Sequence, residues 1–235
     1  MNKLNILKPL LIILLLGFAF KGGGTMIFGR RFIVSQSVPT LYVKDGLVFD
    51  LRCTDLDLTN KKWIDRVGKN VFNLTDITQN LDNSVAFNGS SSICICNNLL
   101  NYQFDSITIE CVCKNSGNGI IISNGNNNFV LIQNWFLQFG NNSSYVSTSM
   151  ASNNNVLHIL SLSKNIINLD GAPTTIEKYH TTVPDTNKLI IGGTDMSPWY
   201  YLKGNIYAIR IYNRLLTEDE MKYNYNIDLR LYEIL

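Results

Sequence analysis

Histidine, proline and net charge are all scarce in this chain. Two histidines among 235 residues, His158 and His180, and no serine or cysteine nucleophile motif beside them, leave nothing from which to assemble a nucleophile–histidine–acid triad. Twenty basic against eighteen acidic residues give a formal charge of +2, which excludes the strong positive field of a general nucleic-acid binder. At 46% hydrophobic and 11% aromatic, the chain is equally unlike an acidic, aromatic-poor disordered segment. It contains no Gly-x-x-x-x-Gly-Lys or Gly-x-Gly-x-x-Gly phosphate cradle and no His-Glu-x-x-His zinc motif. Its longest apolar run, from Pro9 to Phe20, falls short of the roughly 20 residues that a membrane-spanning helix needs.

What replaces charge is asparagine. Thirty residues of this type occur, in runs such as Asn126–Asn128 and Asn153–Asn155. Neutral polar loops account for them in the plainest reading; the sharper one is an amide-rich surface that both donates to and accepts from sugar hydroxyls. Four Asn-x-Ser/Thr sequons start at Asn73, Asn88, Asn141 and Asn142. With so much Asn, Ser and Thr, chance alone yields about four, so the pattern carries no weight here.

Residues 1–24 have the shape of a secretory signal or hydrophobic anchor. Lys3 and Lys8 precede the apolar run, no acidic residue accompanies them, and Lys21-Gly-Gly-Gly follows. Residues 25–43 read as a linker or first strand. Five cysteines, an odd number, sit awkwardly with an oxidising compartment. Four of them form Cys94-Ile-Cys96 and Cys111-Val-Cys113, each within a period-2 apolar stretch, so both thiols of a pair project to one face of a strand. Two readings stay open. The thiols fill small apolar core positions; or the two stretches pair as a hairpin centred near Tyr102, setting Cys96 opposite Cys111 and Cys94 opposite Cys113 for disulfides or a four-thiolate zinc site.

Short apolar runs with period-2 alternation recur along the chain between Asn, Gly, Ser and Asp clusters. They predict strands at 31–35, 47–52, 70–74, 85–88, 92–96, 106–114, 120–123, 129–133, 135–139, 145–149, 156–163, 166–169, 174–177, 188–191 and 205–212. So many short strands predict an all-β antiparallel sandwich or barrel. Asp170-Gly171 supplies positive-φ turn chemistry for a hairpin. Thr217-Glu-Asp-Glu220 is a capping box with an acidic first turn, predicting one short C-terminal helix over 218–225.

Four segments in order then carry a family resemblance: Gly46-Leu-Val-Phe-Asp-Leu followed by Trp63-Ile-Asp-Arg-Val-Gly; Val85-Ala-Phe-Asn-Gly with Ser106-Ile-Thr-Ile-Glu; His158 through Asp170-Gly171; and Gly204-Asn-Ile-Tyr-Ala-Ile-Arg-Ile-Tyr-Asn-Arg-Leu-Leu-Thr-Glu-Asp-Glu-Met. Together they resemble laminin-G-like, concanavalin A-like jelly-roll domains, above all those on bacterial surface proteins and phage virions. The resemblance covers about 44–232 and implies one jelly-roll domain over 44–235. It also implies that Ile107, Ile109, Cys111 and Cys113 alternate inward, favouring the core role for the thiols.

Glycoside hydrolases on this architecture carry a strand motif Glu-x-Asp-x-x-Glu, with two carboxylates on one face as nucleophile and acid. Here Glu110 stands alone, His158 lies in an apolar strand as a structural residue, and the acids at 218–220 belong to the helix cap. The expectation is a non-catalytic, lectin-like carbohydrate-binding or adhesion module, exported or surface-displayed, that binds a glycan or cell-surface polysaccharide. The alternatives are a virion or surface structural protein built for protein–protein assembly, and a degenerate glycoside hydrolase. Sugar recognition pairs a flat ring with amides and carboxylates, which singles out Trp199 and Tyr200 in the Pro-marked Met196–Tyr201 stretch, Asn126 and Asn127, and Trp135. Clustered aromatics also suit a protein partner. Asp55 and Asp57 have the alternation of a calcium loop, though the Gly and Glu that would complete it are missing.

Overall fold

The computed structural model describes residues 42–97, 106–124, 128–133, 136–141, 144–149, 156–164, 166–175, 188–194 and 200–232. The predicted leader, strand 31–35 and all but the last two residues of the predicted linker lie outside them. The chain divides between Val38 and Pro39, and everything described belongs to the second unit. Its strands, in chain order, are β1 (Leu47–Arg52), β2 (Leu56–Asp57), β3 (Lys62–Ile64), β4 (Val71–Thr75), β5 (Thr78–Gln79), β6 (Val85–Asn88), β7 (Ile93–Asn97), β8 (Thr108–Asn115), β9 (Gly119–Ser123), β10 (Asn128–Gln133), β11 (Phe136–Asn141), β12 (Ser144–Ser149), β13 (Leu157–Ser163), β14 (Ile166–Leu169), β15 (Ala172–Thr175), β16 (Lys188–Ile191) and β17 (Lys203–Tyr212). One helix, α1 (Glu218–Tyr232), follows.

These strands form an antiparallel sandwich. The first sheet has the order β15-β14-β13-β8-β17-β6-β5, with β1 paired along the other half of β17; the second is β12-β11-β10-β9-β16-β7-β4-β3-β2. Alternation then divides the residues. Phe49, Leu51, Ile109, Ile209 and Ile211 of the first sheet meet Trp63, Phe72, Leu74 and Ile191 of the second in one buried core. The Trp63 indole is fully buried and donates to the Arg52 carbonyl at 2.7 Å. Asp65 closes the turn that follows, accepting from the backbone N–H groups of Asp50 (3.1 Å), Val67 (2.8 Å) and Asn70 (3.1 Å).

All five cysteines are buried and unbridged, and the four paired ones belong to the same apolar core. The hairpin reading of these pairs is corrected. β7 pairs with β16 and β4, whereas β8 pairs with β13 and β17. Cys94 and Cys96 therefore belong to the second sheet and Cys111 and Cys113 to the first, and the register needed to set them opposite one another does not exist.

The helix is longer than its sequence predicted, running on to Tyr232. Nothing in 226–232 is a strong helix signal; tertiary packing extends it. Tyr225, Leu229 and Tyr232 lie against Val112, Ile159, Tyr207 and Ala208 on the outer face of the first sheet. The capping box forms as expected: the Thr217 N–H donates to Glu220 at 2.9 Å, and the Glu220 N–H donates to the Thr217 hydroxyl at 3.3 Å.

Under that helix the outer face carries charge. Asp50, Arg210, Glu110, Ser161 and Asn168 are cross-strand neighbours in one row across β1, β17, β8, β13 and β14. The Arg210 guanidinium, about 1% exposed, donates to Glu110 at 2.8 Å and grips the Asp228 carboxylate of α1 through both terminal nitrogens. Asn224 donates to both Glu110 oxygens at 3.1 and 3.0 Å and to the Tyr212 hydroxyl at 2.9 Å. Tyr42 donates to Asp228 at 2.6 Å with its ring 3.9 Å beneath Arg210. Burial alone would lower the Arg210 pKa, but Asp228 and Glu110 outweigh it and hold the guanidinium well above its ordinary value. Burial raises Glu110 against the opposing pull of Arg210. The lone strand carboxylate of the sequence is thus a structural ion-pair partner.

Candidate functional site

The second sheet carries the strands that flank three of the predicted sugar-contact residues, and its register sets those strand ends at two opposite ends of the sheet. Ser123 pairs with Phe129, and Asn141 with Ser144, so the strand ends flanking 125–127 and 142–143 lie at one end. Ile132 pairs with Gly119, and Gln133 with Phe136, which puts the strand ends flanking Trp135 at the other. β16 runs antiparallel to β9 and leads toward Gly119, where the Leu202 backbone comes so close that a Cβ on Gly119 would sit 2.4 Å from the Leu202 Cα. Tyr200, 38% exposed, therefore stands at the same end as the strand ends around Trp135. The separation is about 13–17 Å at 3.3 Å per strand residue. Asn126, Asn127, Trp135 and Trp199 themselves lie outside the described residues.

Asp55 and Asp57 are each occupied by a protein partner. Arg66 donates to both Asp55 oxygens, at 2.5 and 3.0 Å. Asp57 accepts from the Asn60 side-chain amide at 2.7 Å and from its backbone N–H at 3.0 Å, and these hydrogen bonds lower the Asp57 pKa. Among the described residues, no three His, Cys, Asp or Glu side chains gather closely enough to hold a metal ion. His158 is buried, and its Nδ1 is 2.8 Å from Asp170, which also accepts from the Ile159 N–H at 2.8 Å. That pair tethers the β14–β15 hairpin, where Asp170 and Gly171 take φ of 52° and 83° as the predicted turn requires.

One cleft was not anticipated from the sequence. About 380 Å³ in volume, it is lined by Leu58, Lys61, Leu74, Asp76, Ile77, Thr78 and Gln79. It opens where the chain leaves β4 in the second sheet and enters β5 in the first. Leu74 and Ile77 form an apolar floor continuous with the core; Leu58, 42% exposed, and Lys61 rise from the β2–β3 turn. The approach of the β2–β3 turn to residues 76–79 depends on a crossover between sheets that no local pattern encodes.

Solved structures share this fold at low sequence identity. The botulinum neurotoxin serotype D binding domain superposes with a TM-score of 0.57 at 16% identity, covering 77% of this chain and 52% of that one. A botulinum neurotoxin DC binding domain in complex with SialylT gives 0.56 at 15%, covering 77% and 51%. A Trypanosoma rangeli sialidase in complex with sialic acid gives 0.51 at 15%, covering 79% and 33%. The chain thus spans about half the length of the neurotoxin domains and a third of the sialidase, and at such identity the likeness establishes the β-sandwich fold alone. No protein-family model matches the sequence, and no curated protein does either.

Proposed function

We propose that this chain is a laminin-G-like, non-catalytic carbohydrate-binding module, exported and displayed on a surface for adhesion. The observation that carries the reading is Tyr200, left 38% exposed at the end of the second sheet where the strand ends around Trp135 converge, an arrangement suited to stacking an aromatic ring on a pyranose face. Two of the fold neighbours were solved with SialylT or sialic acid bound, which supports a glycan as the partner class. Catalysis finds little support, because Glu110 and Asp228 are both committed to Arg210 under the helix. Screening the full chain on a glycan array, with and without calcium, alongside Trp199→Ala and Tyr200→Ala variants, tests the reading. Saturable binding that falls about tenfold or more in a variant, as loss of a stacked aromatic produces, supports it. Absence of glycan binding in either condition overturns it in favour of a protein-assembly role, and release of reducing sugar from a polysaccharide would favour a hydrolase.

A further inference from the structure

Lys61 and Asp76 both hold left-handed backbone conformations, at φ of 54° and 49°, and both line the cleft between the β2–β3 turn and the sheet crossover. Asp tolerates that region better than most residues, whereas Lys gains nothing locally from it. Each is held there by main-chain contacts. The Lys61 carbonyl accepts from the Leu74 N–H at 3.0 Å, and the Asp76 carbonyl accepts from the Ser92 hydroxyl at 2.5 Å. Backbone strain maintained by its surroundings is a recurrent mark of ligand sites. Neither the Lys61 ammonium nor the Asp76 carboxylate hydrogen-bonds or ion-pairs with another described residue, unlike Asp55 and Arg66 nearby, which bind each other. A cleft with one unpaired charge of each sign, the Thr78 hydroxyl and an apolar floor falls near the lower end of the roughly 300–1,000 Å³ over which small-ligand pockets range.

We propose that this cleft binds a carboxylate-bearing monosaccharide unit of a glycan. The Lys61 ammonium meets the sugar carboxylate, Asp76 and Thr78 take the ring hydroxyls, and Leu58 and Ile77 pack on the C–H face. The carboxyl group is the distinguishing element, since Lys61 is the cleft's one cation among the described residues. This deepens the glycan-binding reading and rests on it, but it places recognition of the acidic sugar away from Tyr200.

The test is a titration of the full chain with sialic acid, glucuronic acid and methyl glucoside, followed by saturation-transfer NMR. The variants are Lys61→Gln, Lys61→Arg, Asp76→Asn and Tyr200→Ala, each with its melting temperature recorded. Expected are binding of the acidic sugars in preference to methyl glucoside, a loss of about tenfold or more in Lys61→Gln, as removal of one charge-assisted hydrogen bond produces, retention in Lys61→Arg, and a loss in Lys61→Gln that exceeds any in Tyr200→Ala. Acidic sugars bound equally by wild type and Lys61→Gln overturn the cleft assignment while leaving the glycan reading intact. So does sugar binding lost only in Tyr200→Ala. Failure of every sugar to bind overturns the cleft assignment, while the glycan array decides the wider reading.

Discussion

At the centre of the first sheet, along β8 and β17, both faces are buried, yet the inner one is apolar and the outer one carries a charged web beside an apolar patch. Along β17, Ile209 and Ile211 point into the sandwich among Phe49, Leu51 and the cysteines, while Arg210 between them points outward into a web of Glu110, Asp228, Asn224 and Tyr42. The inner face needs only volume and apolarity, so each residue there is replaceable by one of like size. Within the outer web every charged or amide group is retained only because its partner is present. One sheet thus shows that burial and tolerance to substitution are separate properties.

Removing one member of the outer web gives the largest expected effect. Arg210→Met strands Glu110 and Asp228 in a site with almost no water, at a cost of about 3–5 kcal/mol. Urea denaturation measures it, and a variant losing under about 1 kcal/mol would erase the contrast between the faces. On the inner face, Cys94 is fully buried and its thiol is pushed up by burial alone. Cys94→Ser places a hydroxyl there without a provided partner and should cost about 1–3 kcal/mol, with Cys94→Ala nearer 1. Equal losses for the two would mean that volume, and not polarity, governs that face.

The smallest effect sharpens the comparison at the helix start, where charge is half-exposed. Hydrogen bonds from Arg214, at 2.8 and 2.6 Å, and then from Thr217 hold the Glu220 carboxyl at about 2, against an ordinary 4.5. A carboxyl with a lowered folded-state pKa stabilises fully above its unfolded value and loses that contribution as pH falls through the folded one. The stability gap between wild type and Glu220→Gln should therefore be about 1 kcal/mol or less near neutrality and close as pH drops from about 4.5 toward about 2. Melting curves across that range check it, and a gap independent of pH would assign the effect to the cap hydrogen bonds alone.

Apolar runs of four or more residues bounded by polar clusters were legible, and β1, β6, β14 and β16 have the predicted bounds. β2, β3 and β5, of two or three residues each, were not predicted, because so short a run has no period to detect and exists only through its neighbours' hydrogen bonds. Asp170-Gly171 and Thr217-Glu220 were readable because turn and cap chemistry is local. The partners of the two Cys-x-Cys pairs, the role of Glu110 and the cleft at Lys61 and Asp76 were not, since each joins residues distant along the chain.

By itself, then, the amino-acid order determined which residues alternate, where the tight turns fall and where the helix begins, all consequences of contacts within a few residues. Only the tertiary structure decided that β7 and β8 enter different sheets, that Arg210 meets Asp228 across eighteen positions, and that the strand ends flanking 125–127 and those flanking 134–135 lie at opposite ends of one sheet. Alternation specifies the face a side chain takes but says nothing of which strand lies beside it; that choice belongs to how two sheets close over a common core.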